Sequence, residues 1–174
     1  MSEAADSVTD GVVTLRTPDD RDLEAIAAGI ADPDVVRWLG QAPGTARDVL
    51  LLNRSRAAAG SPTFCVCEGD DRCVGLAWLN RDDADPEAGS VGYWLLPEAR
   101  GRGLATRAVR LVVAWARGDT IPRLRLVTAV DNAHSRAVAE RCGFREAERR
   151  RVTNPDGRTE DRIVYILDEA PIRG

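Results

Sequence analysis

The spacing of apolar and polar residues changes several times along the chain, and each change marks an element. Val12 to Arg16 is a short run of strand type. Thr17-Pro18-Asp19-Asp20 then opens a helix, with Thr17 as N-cap, Pro18 at the first helical position and acids in the first turn. Leu23, Ile26, Ala27 and Ile30 fall on one face of it. Asp32-Pro33 ends that helix, and Asp34 to Leu39 is a short second one. Thr45 with Asp48 forms a capping-box pattern and predicts a third helix to about Ala59, stopped by Gly60. The period then shortens. Pro62–Glu68 and Arg72–Leu79 read as two strands around a Gly69-Asp70-Asp71 turn, followed by an acidic exposed loop from Arg81 to Ala88.

The next stretch is the most informative. Val91 to Leu96 is an apolar, aromatic strand; Pro97 to Gly103 is a turn with two glycines and two arginines. Leu104 to Arg117 is helical, with Leu104, Ala108, Leu111, Val112 and Trp115 near one face. A strand that hands a glycine-rich loop to a helix N-terminus can hold phosphate, because free backbone N–H groups and the positive end of the helix dipole converge there. Taken alone, the same spacing also describes a turn with no ligand. Arg123–Val130 follows as a strand, then a helix from about Ala133 to Cys142, capped by Asp131-Asn132 and stopped by Gly143. Arg145–Thr153 and Arg158–Asp168 are strands around Asn154-Pro155-Asp156-Gly157. With no linker and no repeat, the order predicts one α/β domain with a mixed sheet over residues 11–168, between an N-terminal tail (1–10) and a C-terminal one (169–174).

Composition narrows the chemistry. The 174 residues suit one domain with a real core, and 44% hydrophobic with 30% charged residues is ordinary for a globular protein. All 24 basic residues are Arg. Without Lys there is no Walker-type phosphate lysine, no pyridoxal Schiff base and no lysine nucleophile. A net charge of −4 argues against a nucleic-acid partner. No apolar run reaches transmembrane length and no export signal is visible, so a cytoplasmic location without membrane attachment is expected. Cys65, Cys67, Cys73 and Cys142 include no CxxC pair and there is a single His, so no metal is expected and the thiols should be reduced and buried.

Arg100-Gly101-Arg102-Gly103-Leu104-Ala105 resembles the acetyl-CoA motif R/Q-x-x-G-x-G/A of the GNAT superfamily of N-acetyltransferases. Asn132-Ala-His-Ser135 followed by Val138-Ala-Glu-Arg-Cys-Gly-Phe144 is similar to the N-x-x-S…V-A-x-x-x-G-F block of its RimJ/RimL branch, and the element order agrees. The resemblance implies a mostly antiparallel sheet, splayed between its two central strands and flanked by helices. It implies acetyl-CoA as co-substrate, with the backbone of Tyr93, Trp94 and Leu95 along the pantetheine arm. The loop Arg100, Gly101, Arg102, Gly103, Leu104, Ala105 and Thr106 would take the pyrophosphate. Asn132 would hold the arm or the helix start, and Ser135 would protonate the departing thiolate. A dinucleotide-binding reading fits less well, since Gly101-x-Gly103-x-x-Thr106 lacks a third small residue.

The other partner is an amine: a protein N-terminus or a small molecule, such as an antibiotic. A catalytically idle CoA-binding module is the alternative of a different class. The acceptor is expected between the Asp32–Gly60 region and the Arg145–Asp168 hairpin, on a monomer or homodimer. No catalytic base is assigned. Gly89-Ser90-Val91 stands where many members carry a glutamate, and alignment from Ser135 puts Asn154 at the RimL-type glutamate position. Glu87, Glu146 and Glu148 are nearby in sequence without a matching motif. His134 and Cys142 read as an exposed helix residue and a core thiol. The run Arg149–Arg151 reads as a solvated, paired face.

Overall fold

The computed structural model describes residues 7–42, 44–153 and 157–168. In chain order these form β1 (Ser7–Thr9), β2 (Val13–Arg16), α1 (Leu23–Ala31), α2 (Pro33–Leu39), α3 (Ala46–Ala58), β3 (Thr63–Glu68), β4 (Arg72–Arg81) and β5 (Ala88–Leu95). Then come α4 (Leu104–Gly118), β6 (Arg123–Ala129), α5 (Ala133–Arg141), β7 (Arg145–Thr153) and β8 (Thr159–Leu167). The strands make one sheet in the order β1-β2-β3-β4-β5-β6-β8-β7. Neighbours are antiparallel except β5 and β6, which are joined through α4 and lie parallel, as a helical crossover requires.

That parallel contact is short. Only Ala88–Ser90 pairs with Arg123–Arg125. Beyond it β5 runs on to Leu95 and β6 to Ala129 without a shared ladder, which is the expected splay. Side chains alternate across the sheet. Val91 and Leu95 join the core under α4 and α5, while Trp94 and Leu96 join a second core under α1 and α3. On α4, Leu104, Ala108, Leu111 and Val112 are buried as predicted; Trp115 is partly buried, edge-on to Phe64 at 5.7 Å between centroids. Burying each Leu or Val of that face contributes about 1.5–3 kcal/mol, which anchors the loop preceding the helix.

Several boundaries differ from the sequence reading. Ser7–Thr9, assigned there to a tail, is an edge strand on β2. Three residues are too few to show a period; Asp10 holds them in place by accepting from the Val12 and Val13 amides and pairing with Arg107 at 2.7 Å. Residues 1–6 and the C-terminal tail, 169–174, lie outside the described residues. Thr17 does not cap α1. A capping box closes instead between Asp19 and Asp22 around a 3-10 turn, because the Asp22 carboxylate is held from the other side by Arg16. Ala27 is exposed, and Gly29 takes its expected place in the core because the Trp94 ring lies against it. The Thr45–Asp48 box is present.

The Arg16–Asp22 pair is buried, with two parallel 2.8 Å bonds. Cys65, Cys67 and Cys73 surround it, and none of the four cysteines is in a disulfide. Burial pushes the Asp22 carboxyl up, but Arg16, the Asp19 amide and the Cys65 thiol together hold it below its ordinary value. Ligand atoms of Asp22, Cys65 and Cys73 lie within 4.8 Å of one another, the nearest approach to a metal-binding cluster among the described residues. The Arg16 guanidinium already spans both Asp22 oxygens, so a fixed positive charge stands where a cation would bind.

Candidate active site

The splay opens a cleft of about 460 Å³, within the range of small-molecule sites. Val91 to Leu95 form one wall and Leu126 to Ala129 the other. Alternation along β5 decides which backbone groups face it. Leu96 donates to Val74 on β4, so Leu96 and Trp94 direct their peptide groups to β4, while Tyr93 and Leu95 direct theirs to the splay. The Leu95 carbonyl is taken by Arg100 Nε at 3.0 Å, which leaves the Tyr93 backbone groups and the Leu95 amide facing the splay. Trp94 contributes wall, not backbone contacts.

The loop residues sort in the same way. Gly101 and Gly103 have φ of +72° and +77°, a left-handed conformation that glycine adopts without steric penalty. A Cβ on either would meet no protein atom, so the backbone angle, and not crowding, requires glycine there. Gly103 is the N-cap of α4, and the first amide bonded back to it is that of Arg107 at 3.3 Å. The amides from Gly101 to Thr106 have no acceptor among the described residues, the condition an anion site at a helix N-terminus requires. Gly101, Gly103, Leu104, Ala105 and Thr106 line the cleft. The two arginines do not offer their side chains to it. Arg102 turns away to a bidentate pair with Glu68, one bond at 2.9 Å. Arg100 borders the cleft, but its guanidinium bonds Asp32 at 2.8 Å and Asp34 at 2.9 Å, tying the loop to the first turn of α2.

At the other end α5 presents Asn132, His134, Ser135 and Val138 to the cleft. Asn132 Oδ1 accepts from the Ser135 amide at 3.1 Å, so Asn132 caps the helix and keeps its side-chain nitrogen available to a ligand. Ser135 is half-buried. Tyr93 also lines the cleft; burial raises its phenol above its ordinary pKa, and the Ser135 hydroxyl pulls the other way. His134 is exposed at the cleft edge. Cys142, half-buried behind α4, donates to the Thr106 carbonyl at 3.5 Å; burial pushes its thiol up to about 11, which suits a packing role.

None of the glutamates considered as a base borders the cleft. Glu87 pairs with Arg123 and Glu146 with Arg149, while Glu148 is exposed on β7. Position 154 lies outside the described residues. The cleft is completed by groups that no motif pointed to: Trp38, Leu39 and Asp34 on α2, Arg141 on α5, and Arg162 on β8. Only the three-dimensional register of β6 with β8, Ala129 opposite Arg162, brings the last of these in.

A sheet opened beside a phosphate-binding helix N-terminus is the arrangement of an enzyme that takes an extended, phosphate-bearing donor. Residues 13–145 match the acetyltransferase (GNAT) domain family. The chain is 32% identical over 167 residues to a protein of Bacillus subtilis named as a ribosomal N-acetyltransferase, YdaF, covering 89% of this chain and 90% of that one. It is 35% identical over 72 residues to an aminoglycoside N(6')-acetyltransferase type 1 of Acinetobacter baumannii, 41% of this chain and 49% of that one. The solved structure of Mycobacterium smegmatis RimJ in complex with CoA-disulfide superposes with a TM-score of 0.79 at 23% identity, covering 94% of this chain and 85% of that one. The protein belongs to the GNAT family of acetyltransferases, in its RimJ/RimL-like branch, and is an acetyl-CoA-dependent N-acetyltransferase. No helix among the described residues is long and apolar enough to cross a membrane.

Proposed function

We propose that the protein acetylates the N-terminal amine of a protein or peptide, by direct attack of that amine on acetyl-CoA within a ternary complex. The observation that carries the choice of acceptor is the charge of the cleft. Asp34 is the one carboxylate among its described lining residues and is already bonded to Arg100; the other charged side chains of the lining are Arg141 and Arg162, the latter paired with Glu160 at 2.6 Å. An aminoglycoside is a polycation and needs several carboxylates to hold it; this lining offers one, already engaged by Arg100. A peptide N-terminus brings a single positive charge and loses it before reacting. The apolar wall of Val35, Trp38 and Leu39 on α2 suits the side chains that follow such an amine.

In this reading the pyrophosphate lies on the amides from Gly101 to Thr106, and the pantetheine arm extends along Tyr93 between β5 and β6. The amine nitrogen attacks the thioester carbonyl carbon, the C–S bond breaks with its electron pair going to sulfur, and one proton passes in net from nitrogen to sulfur. Ser135 donates to that sulfur in this reading. Among the described residues the one carboxylate of the lining, Asp34, is engaged by Arg100, so water serves as the proton acceptor and the rate should rise with pH as the amine deprotonates. The same reading carries the cytoplasmic location. The test is CoA thiol release with a panel of N-terminal peptides, neutral and acidic, beside aminoglycosides. Turnover with peptides and none above background with aminoglycosides is expected; the reverse order would refute the acceptor assignment, and release with neither would refute the transferase reading of the site.

A further inference from the structure

We propose that Trp38 sets a preference for acceptors whose first side chain is apolar, and that Arg37, anchored on Asp131, is the positioning residue that holds the indole at the cleft. The inference rests on the peptide acceptor proposed above. The chain has four tryptophans. Trp94 is buried in the core under α1 and α3, Trp78 packs against that core, and Trp115 packs against the core under α4 and α5. Trp38 belongs to neither core. It is half-buried on α2 and lines the cleft. Val35, Trp38 and Leu39 share one face of that helix by their i, i+3, i+4 spacing, and all three border the cleft. A large apolar ring that packs in no core still gains from being covered, and at this position an acceptor side chain can cover it.

Since neither core fixes the indole, its orientation depends on what touches it. The Arg37 guanidinium lies over the ring, 4.4 Å from its centroid. The same guanidinium bonds Asp131 at 3.3 Å, 94 residues further along the chain. Asp131 directly precedes Asn132, the N-cap of α5. The tie therefore joins α2 to the start of α5, two elements that both border the cleft. The first turn of α2 is held separately, by Arg100 on Asp32 and Asp34. An exposed ion pair and an exposed cation–π contact are each weak. Acting on one ring they still narrow its rotamers before the acceptor arrives, so less freedom is lost on binding. The guanidinium also shapes the chemistry of the wall. A ring that already carries one cation on its face offers little to a second, which favours an apolar side chain over Lys or Arg.

The experiment compares three peptides, alike except for Gly, Leu or Lys at the first position, by kcat/KM at saturating acetyl-CoA. The wild-type enzyme is expected to use the Leu peptide about tenfold better than the Gly peptide, the effect of covering one leucine side chain, and the Lys peptide no better than Gly. Trp38→Ala should abolish the leucine advantage. Arg37→Met keeps an unbranched stem beside the ring and removes the charge; it should reduce the advantage about threefold. Asp131→Asn should act in the same direction, and neither change should matter on the Trp38→Ala background. An equal loss with the Leu and Gly peptides in Trp38→Ala would overturn the proposal, because the ring would then serve only structure. So would a raised KM for acetyl-CoA with the leucine advantage intact, which would put the ring at the donor. A full advantage in Arg37→Met beside none in Trp38→Ala overturns the role of Arg37. Peptide turnover without a leucine advantage in the wild type overturns this inference alone; no turnover of any peptide removes the acceptor reading and this inference with it.

Discussion

Gly103→Val should weaken acetyl-CoA binding by at least about 100-fold while leaving the protein folded. Two effects combine. At φ +77° a β-branched residue is strained by roughly 1–3 kcal/mol, so the turn opens and the amides beside it lose their common aim. Each charge-assisted bond to phosphate is worth about 1.5–3 kcal/mol, and losing two accounts for two or more decades of affinity. The valine side chain itself projects into the space the phosphate would occupy, where no protein atom stands within 4 Å. Arg102→Ala is the contrasting variant. Its guanidinium serves Glu68, so affinity should change less than about threefold. Titration calorimetry with acetyl-CoA, alongside circular dichroism, checks both. Unchanged affinity in Gly103→Val would mean that the loop is not the pyrophosphate cradle.

Asp22→Ala carries the largest expected effect on stability. It leaves the Arg16 guanidinium, 8% exposed, without its bidentate partner, and breaking such a pair costs about 3–5 kcal/mol. The lower end is expected because Asp71 still holds Arg16 Nε at 2.7 Å. Urea unfolding measures the difference. Arg16→Met combined with Asp22→Leu should recover more than half of the loss, since it removes both charges. The pH dependence has a definite sign. The folded carboxyl lies below its unfolded value of 3.8, so its stabilisation is complete above that value and disappears as pH falls through the lower folded one. The gap between wild type and Asp22→Ala should therefore hold from pH 7 to about 5 and narrow below pH 4. A gap independent of pH would point to lost packing and not to lost charge.

Much of this architecture is legible in the order of residues, and the exceptions have physical reasons. The Thr45–Asp48 box and the α4 face are local: each is decided within a few turns of chain, and each was found where expected. The 3-10 turn before α1 was not, because Asp22 answers to Arg16 on a neighbouring strand. Motifs assigned Arg100 and Arg102 to the donor as whole residues. The loop backbone faces the cleft as the motif implies, but both side chains turn to carboxylates distant in sequence, Asp32 and Glu68, that no spacing rule connects to them. The rest of the cleft lining was the least legible part. Trp38, Arg141 and Arg162 come from three separate elements and meet only through sheet register and helix packing.

The short parallel contact between β5 and β6 makes the sheet resemble a book held at the top of its spine. Three rungs join the two leaves, and helix contacts do the rest. A donor bound in the gap, as proposed above, would bond to both leaves and so act as binding glue. Loading is then a gain in cohesion of the whole molecule: at 100 times Kd a ligand adds about 2.7 kcal/mol to the folded state. Acetyl-CoA should accordingly raise the melting temperature and slow amide exchange along the facing edges, Val91–Leu95 and Leu126–Ala129, more than elsewhere in the sheet.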